Sequence, residues 1–437
     1  DFALQRVADQ FTEQTGIGVN IESIAYNSLQ ARLVNSFITG TADADVVTVD
    51  QMWISQYADN GWIQPLDQFI AADSDTDVGD FLPEVLYSLS TWRNQMWTLP
   101  VGAYAQGVIY RPDLLEMVGL AAPPKNPEDA GDWTWEKYFE YVRALHGVTM
   151  GDTEHFGSVI VGAQPVPIVH MFTQLGASYG ARWFEQFPEA PWDFTPLINS
   201  DANVAALEAY KELYDLSPPE SINYVWFDAG TRFSQGDIGM FFWWTPYYYL
   251  VKNNGYMTGE PSIIKDSYDT AILPTLEPGG DNVVSLGGWS LGMPRTVQNE
   301  DEAWQFIKWA TSSEGQKAMA LVPDFGFQFS DFSRRSNYED PELQAIYPYL
   351  ETQLHGMALG NGKIARPPSP IYTSLEGVYG LQLSRVLSGE ASAKEALDTT
   401  NVLFDNILRG NQQIPYLLDS YNDTLENTRA LIAKLAS

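Results

Sequence analysis

Helix-like and strand-like segments alternate along the first part of this chain. Apolar residues recur at helical spacing through residues 1–15 and 27–38, and apolar strand-like runs occupy residues 19–24 and 44–49. The order helix, strand, helix, strand is typical of parallel strands with helices packed on the faces of the sheet. The pattern therefore predicts an α/β fold whose sheets are mostly parallel.

The same alternation continues towards the C-terminus. Thr134 is placed to cap one predicted helix, and Ser200 or Asp201 to cap another. At 437 residues, of which 45% are hydrophobic, the chain is long enough for two domains with separate cores. Further helices are predicted over 164–175, 199–216, 301–311, 314–321, 375–387 and 393–408, and further strands over 108–110, 157–161, 238–242, 268–274 and 285–293.

Charge and composition narrow the class of partner. The chain carries 56 acidic against 24 basic residues, a net charge of −32, and so disfavours nucleic acid and anionic membranes as partners. It has no cysteine, which excludes disulfides and thiolate metal sites.

No apolar run reaches the roughly 18 residues of a membrane-spanning helix, and Asp1 lies in a polar helix-like segment rather than in a signal peptide. If the protein is exported, its signal has been removed.

Aromatic residues recur at predicted strand ends and turns, which is where ligands sit in α/β sheets. The apolar C–H face of a sugar stacks on an aromatic ring, while its hydroxyls need polar partners at the edge. One ring alone is more often core packing; the shared placement of several rings indicates a site. The rings are Trp53, Tyr104, Trp243, Trp244 and Trp289, and the polar candidates are Asp50, Gln51, Gln164 and Arg366.

Three of these assignments leave alternatives open. Asp50 follows a predicted strand and could equally cap the helix that contains Ile54. Trp243 and Trp244 are neighbours in a strand and point to opposite sides, so the sequence does not decide which of them faces a ligand. Arg366 leaves room for an anionic group on that ligand.

Patterns for other chemistries are weak. Residues 176–180 (GASYG) match the G-x-S-x-G nucleophile elbow, but a helix-like run leads into them, so Gly176 is read as a helix end. The four histidines lack zinc-site spacing, and no cofactor is predicted.

One acidic loop partly follows a calcium pattern but has its glycine one place late, and we read it mainly as solvated surface. Its residues are Asp73, Asp75, Asp77 and Glu84.

Several segments, in this order and spacing, carry a family resemblance: ADVVTVDQMWISQYADNGWIQPLD (44–67), LPVGAYAQGVIYRPDLLEMVGL (99–120), FSQGDIGMFFWW (233–244), SLGGWSLGMP (285–294) and RPPSPIYTSLEGVYGLQLSRVLSGEASAKEALD (366–398). Together they resemble the maltose-binding-protein-like family of extracellular solute-binding proteins, which serve carbohydrate ABC transporters. That family's first strand normally precedes its first helix. Because Asp1 already opens a helix, either the chain is truncated or its first sheet is completed differently.

The resemblance implies a type II fold of two α/β lobes joined by a hinge, with the ligand in the cleft between them. The first lobe would comprise residues 1–110 and 268–313, and the second residues 111–267 and 314–437. His170 joins the candidate ligand residues as a weaker member. The matching ligand positions are then Asp50, Gln51, Trp53, Tyr104, Gln164, His170, Trp243, Trp244, Trp289 and Arg366.

The function implied is the substrate-binding component of an ABC importer, with no enzymatic activity. It would act as a monomer in the periplasm, or lipid-anchored at the outer face of the cytoplasmic membrane. Its partners would be a small sugar, sugar alcohol or glycoside and the permease subunits. Two alternatives are a glycosidase-like enzyme that uses cleft carboxylates and a purely structural interaction protein with no small ligand.

Overall fold

Helices dominate the chain and surround a central sheet. The computed structural model describes residues 2–41, 44–248, 251, 262–321, 330–410 and 423–437. The longer α-helices are Phe2–Thr15, Tyr26–Thr39, Trp135–Leu145, Val166–Ser178, Asp201–Asp215, Trp226–Ser234, Glu300–Ala310, Leu350–Ala358, Tyr372–Leu387, Ala393–Gly410 and Leu425–Leu435. The shorter α-helices are Ile54–Asp59, Asp67–Ala72, Pro83–Leu89, Pro112–Val118, Ser313–Ala320, Arg335–Glu339, Pro341–Ile346 and Gly362–Ala365.

The strands form one central sheet and three small hairpins. In chain order the strands are β1 (Val47–Asp50), β2 (Thr91–Trp92), β3 (Gln95–Met96), β4 (Thr98–Tyr110), β5 (Thr149–Met150), β6 (Thr153–Glu154), β7 (Phe184–Gln186), β8 (Asp193–Pro196), β9 (Met240–Trp244), β10 (Asp269–Ala271) and β11 (Leu286–Gly292). The central sheet has the order β1-β11-β4-β10, and β9 also pairs with β4. The pairs β2-β3, β5-β6 and β7-β8 stand apart from it.

The long strand β4 pairs with three strands along its length. Residues 98–105 of β4 pair with β11, residues 106–110 pair with β9, and residues 108–110 also pair with β10. The end of β9 and the start of β11 therefore meet beside β4, at Ala105 and Gln106. This junction brings three distant parts of the chain to one place.

The mixed α/β class is confirmed, but the predicted parallel pairing is wrong for the ladders of the described residues. Every pairing between the named strands is antiparallel. Parallel contacts occur in the described chain only as isolated bridges, such as Thr134 with Thr275 and Phe156 with Ile238. The alternation of helices and strands was a poor guide to direction here, because β9 and β11 both run back along β4.

Two predicted strands are absent from the described residues. Residues 19–24 form no strand, although Val19 and Ile21 pack half-buried against the smaller apolar cluster while Asn20, Glu22 and Ser23 are exposed. Residues 157–161 are buried but irregular. A side chain at Gly157 would lie 2.1 Å from the Val142 carbonyl oxygen, so this segment packs by its backbone against the helix Trp135–Leu145.

The predicted helix caps are borne out. The Thr134 hydroxyl accepts a hydrogen bond from the Lys137 amide, and the Ser200 hydroxyl accepts one from the Asn203 amide. Each satisfies an amide of the first turn that has no partner within its helix. The helix predicted over 164–175 forms, but it runs from Val166 to Ser178.

Apolar side chains collect in two clusters. The larger one surrounds β4, β9 and the helices of the middle and last thirds of the chain. The smaller one joins residues near the N-terminus, such as Val7 and Phe11, to Ile307 and to Leu431 and Ile432. The C-terminal helix thus packs with N-terminal residues, although the predicted boundaries place it in the second lobe. Those boundaries stay a prediction.

Candidate functional site

Asp50 ends β1 with its side chain buried. The carboxylate makes no capping hydrogen bond to the short turn Gln51–Trp53 that follows, so the capping alternative is wrong. It instead accepts a hydrogen bond from the Tyr26 hydroxyl, at 3.2 Å to Oδ2. Gln51 and Trp53 are also buried, and the amide oxygen of Gln51 has no hydrogen-bond partner in the described chain. The end of β1 thus holds polar groups away from water.

Tyr26 connects three tryptophans beside Asp50. Its ring stacks on Trp53, with centroids 6.1 Å apart, and meets the edges of Trp289 at 5.8 Å and Trp226 at 5.9 Å. Trp53 and Trp289 also touch, at 6.0 Å. Asp50 pairs with Trp289 across β1 and β11, which fixes the acid and the ring side by side. These rings form one aromatic wall.

A second wall lies at the junction where β4 changes partner. Tyr104 meets Trp244 edge to face at 5.2 Å, and the guanidinium carbon of Arg366 lies 5.5 Å from the Trp244 ring. Arg366 also donates to the Leu286 carbonyl and contacts the Met52 sulfur. A side chain at Gly287 would come within 2.5 Å of the Tyr104 ring, so glycine is required there for the rings to approach.

His170 brings a second acid into the site. Its Nε2 lies 3.0 Å from Oε1 of Glu376, a close contact that is not aligned as an N–H···O hydrogen bond. The Tyr372 hydroxyl donates to the same oxygen at 3.0 Å. The backbone of His170 is also positioned, because the side-chain amide of Gln106 donates a hydrogen bond to its carbonyl oxygen at 3.2 Å. The His170 ring also lies 5.7 Å from Trp226, which links it to the aromatic wall.

Burial controls the protonation of these groups. It raises the pKa of Glu376 to about 8, against the weaker opposing effects of Tyr372 and Arg366. It also raises the pKa of Asp50, although His170 and Arg366 act in the other direction. Burial and then Arg366 lower the pKa of His170 well below its usual value. The site therefore contains an imidazole and a carboxyl that both favour the neutral form.

We call these residues the cleft cluster: Tyr26, Asp50, Gln51, Trp53, Tyr104, Gln106, His170, Trp226, Trp244, Trp289, Arg366, Tyr372 and Glu376. Eight of them were candidates from the sequence. Their convergence from positions 26 to 376 of the chain is a property of the fold, since no short segment contains them all.

Two sequence candidates lie elsewhere. Trp243 is fully buried on the other face of β9, against Phe241 and the helix Trp226–Ser234, where a side chain at Gly230 would meet its ring at 2.0 Å. Gln164 is exposed, because the helix expected to contain it starts two residues later. Of the two adjacent tryptophans, Trp244 is therefore the one in the cleft cluster.

Sequence reasoning missed five members of the cleft cluster. Tyr26 and Trp226 each begin a helix, and Tyr372 and Glu376 lie four residues apart on one helix. Each resembles an ordinary amphipathic position. Gln106 had a usable signal, because a polar side chain within the buried run 99–110 needs a partner. Glu376 lies ten residues after Arg366, within a segment that the resemblance had already marked.

The weak motifs do not assemble into sites. Gly176 lies inside the helix Val166–Ser178, not at its end, and the Ser178 hydroxyl donates to the Gln174 carbonyl, so no strand–turn–helix elbow exists. The calcium candidates have separate partners: Asp73 pairs with Lys308, and Glu84 with Arg429. Within the described ranges, no group of three or more His, Asp or Glu side chains is placed to hold a metal ion.

Comparison with known proteins identifies the class. Residues 3–317 match the family of bacterial extracellular solute-binding proteins, and the chain belongs to that family. The structure is similar to that of an ABC transporter solute-binding protein from Agrobacterium radiobacter K84 in complex with ribitol. The TM-score is 0.78 and the identity 26%, over 93% of this chain and 95% of that one. The two-lobe type II fold expected from the sequence is thereby confirmed.

Two curated relatives are informative. The mannitol-binding protein of Pseudomonas aeruginosa is 24% identical over 408 residues, 90% of this chain and 87% of that protein. A protein of Brucella abortus (strain 2308), described as a binding protein, is 24% identical over 300 residues. That match covers 68% of this chain and 64% of the Brucella protein, so this chain spans less than two thirds of that relative's length.

Proposed function

We propose that this protein is the substrate-binding component of an ABC importer, which captures a sugar, a sugar alcohol or a small glycoside. One observation carries the proposal: rings and polar groups from distant parts of the chain converge in the buried cleft cluster. Two of its polar groups, the amide oxygens of Gln51 and Gln106, have no hydrogen-bond partner in the described part of the chain. A buried acceptor left unpaired costs free energy, so these groups are suited to a ligand that brings donors.

The chemistry of the cleft cluster fits a polyhydroxyl ligand. Its rings remove apolar C–H surface from water, at about 25 cal/mol per Å² buried, and its oxygens accept hydrogen bonds from hydroxyl groups. A similar solute-binding protein whose structure contains ribitol, and a relative named as a mannitol-binding protein, support this class. In the proposed mechanism, ligand contacts made only in the closed state draw the two lobes together.

The setting of the protein follows from this role. We place it outside the cytoplasmic membrane, in the periplasm or tethered by a lipid, where a permease recognises the closed form. We infer a monomer with two lobes near the predicted boundaries, except that the helix Leu425–Leu435 belongs with the first lobe by its packing. None of the described helices is long and apolar enough to cross a membrane.

Calorimetry against a panel of alditols, monosaccharides, disaccharides, amino acids and peptides tests the proposal. Binding of a sugar or polyol, with the ligand recovered chemically unchanged, is the expected result. Turnover of a glycoside would instead favour the enzyme alternative, in which Asp50 and Glu376 would be the acids. A panel without any binding would favour a structural interaction protein.

A further inference from the structure

Tyr26 contacts aromatic rings on both sides of the cleft cluster. The predicted boundaries put Tyr26, Trp53 and Trp289 in the first lobe and Trp226 in the second. The Tyr26 ring lies 6.1 Å from Trp53 and 5.8 Å from Trp289, and it lies 5.9 Å from Trp226. One side chain thus joins the two predicted lobes. We call Tyr26 and Trp226 the aromatic bridge.

Hydrogen bonds hold the Tyr26 side of the aromatic bridge in place. The Tyr26 hydroxyl donates to Asp50 at 3.2 Å, which ties the ring to the end of β1. Gln30, one turn further along the helix that Tyr26 begins, donates from its side-chain amide to the Thr373 hydroxyl at 2.8 Å. Thr373 lies on the helix Tyr372–Leu387, in the predicted second lobe. The start of the Tyr26 helix therefore contacts that lobe at two points.

The aromatic bridge lies nearer to solvent than the polar groups that have no partner. Tyr26 and Trp226 are both half-buried, whereas Gln51, Gln106 and Arg366 are between 1% and 4% exposed. The amide oxygens of the two glutamines and the Nε–H of the arginine have no hydrogen-bond partner within the described ranges. Hydroxyl groups can satisfy both kinds of group, because each hydroxyl donates and accepts. We therefore expect the ligand on the inner side of the aromatic bridge.

The other end of this inner space is closed by the sheet. β9 and β11 meet beside β4 at Ala105 and Gln106. A side chain at Gly287 would lie 2.5 Å from the Tyr104 ring and 3.3 Å from the Trp244 ring, so no further group fits between these rings and the strand. A ligand between this junction and the aromatic bridge is limited at both ends.

We propose that the aromatic bridge limits the ligand to one sugar unit or one alditol chain. The inference rests on the proposed function and narrows it, because ligands with a second sugar ring are excluded. A second ring that extends towards solvent would have to separate Tyr26 from Trp226. It would thereby remove a contact that closure of the lobes forms, whereas a single unit leaves this contact intact.

Matched ligands that differ by one glucosyl group give the first test. D-Sorbitol is compared with maltitol, D-mannitol with its 1-O-α-D-glucopyranosyl derivative, and D-glucose with maltose, cellobiose and isomaltose. Several linkages are included because the second ring can be attached at different positions of the first. Calorimetry, with displacement titration for weak ligands, should find each single unit that binds about tenfold or more tighter than its glucosylated analogues.

The outcomes separate this inference from the proposed function. A glucosylated analogue that binds within about tenfold of its single unit, or more tightly, overturns the size limit and leaves a sugar-binding protein. An absence of binding for every single unit and every glucosylated analogue overturns the proposed function, and the inference with it.

Variants on both sides of the aromatic bridge test the rings themselves. Tyr26→Ala or Trp226→Ala removes one ring, so the ratio of single-unit to glucosylated affinity should fall by about tenfold. Tyr26→Phe keeps the ring and loses only the hydroxyl, so the ratio should stay at the parent value. Phe69→Ala is the matched control, because it removes a half-buried ring that contacts Trp304 at 5.4 Å beside the smaller apolar cluster.

Two results would contradict the role of the aromatic bridge. In one, Tyr26→Ala and Trp226→Ala leave the ratio where Phe69→Ala leaves it. In the other, Tyr26→Phe shifts the ratio as far as Tyr26→Ala does, which would assign the effect to the hydrogen bond with Asp50 instead of the ring. Circular dichroism and thermal melting show which variants fold, and either alanine variant of the aromatic bridge is sufficient for the comparison.

Discussion

Replacing Glu376 by glutamine is expected to relieve a loss of stability at alkaline pH. The pKa of Glu376 is about 8 in the folded chain, against an ordinary value of 4.5, because the side chain is buried. Between these pH values the folded chain holds a proton that the unfolded chain has released. The free energy of unfolding therefore falls as the pH rises. Glutamine carries no such proton, so the variant lacks this contribution.

The size of the effect follows from the difference in pKa. One proton gives a slope of about 1.4 kcal/mol per pH unit, which accumulates to about 4 to 5 kcal/mol between the unfolded and folded pKa values. The contribution of Glu376 to the free energy of unfolding is fully present below its pKa in the unfolded chain. It is lost as the pH rises from that value to the pKa in the folded chain. The ionisable groups that interact with Glu376 are Tyr26, Asp50, His170, Arg366 and Tyr372, and all remain in the variant. The difference between the two proteins therefore isolates Glu376.

Urea denaturation followed by tryptophan fluorescence, from about pH 5 to about pH 9 at constant ionic strength, measures this difference. The difference in free energy of unfolding, variant minus parent, should increase steadily as the pH rises to about 8 and should then stay constant. Glu302→Gln, at an exposed position, is the matched control and should show no such trend. A difference between Glu376→Gln and the parent that is constant over the whole range would refute the assignment of a buried, protonated carboxyl group.

Three further predictions concern packing and binding. Trp244→Ala or Trp289→Ala should weaken sugar or polyol binding by about 1 kcal/mol or more beyond lost burial; calorimetry on folded variants checks this, and unchanged affinity would contradict a stacking role. Trp243→Phe should lower the melting temperature and leave the affinity within about twofold, because Trp243 packs away from the cleft cluster; a large loss of affinity would return it to the site. Lys363→Met should cost about 3 to 5 kcal/mol in urea unfolding, because Asp423, 2.6 Å from the Lys363 ammonium group, would stay buried without its counter-charge. Adding Asp423→Leu should restore most of that loss, and a double variant as unstable as the single one would count against the pair.

The sequence predicted the segments of the site better than their pairing. The apolar run before Asp50 was recognisable as a buried strand, and the rings that follow it were recognisable as unusual. The direction of the strands was not recognisable. A run of alternating helices and strands is also compatible with β9 and β11 both lying antiparallel to β4. Pairing depends on contacts between residues more than a hundred positions apart, which local periodicity does not encode.

Individual side chains show the same limit. A period of two puts Trp243 and Trp244 on opposite faces, but which face meets the cleft depends on where β9 docks. Glu376 looks like one acid among 56. Only the fold places it beside His170, 206 positions away in the sequence. Tyr26 likewise gains its role from the three tryptophans that surround it.

The sharing of β4 has a mechanical consequence. One unbroken strand pairs with β11 over residues 98–105 and with β9 over residues 106–110. We propose that rotation of one lobe relative to the other is taken up by small dihedral changes near Ala105 and Gln106, where the pairing changes. Tyr104 and Gln106, which flank this point, belong to the cleft cluster. A ligand held there would act at the pivot itself, so sub-ångström changes in its contacts would translate into larger displacements at the outer rims of the lobes.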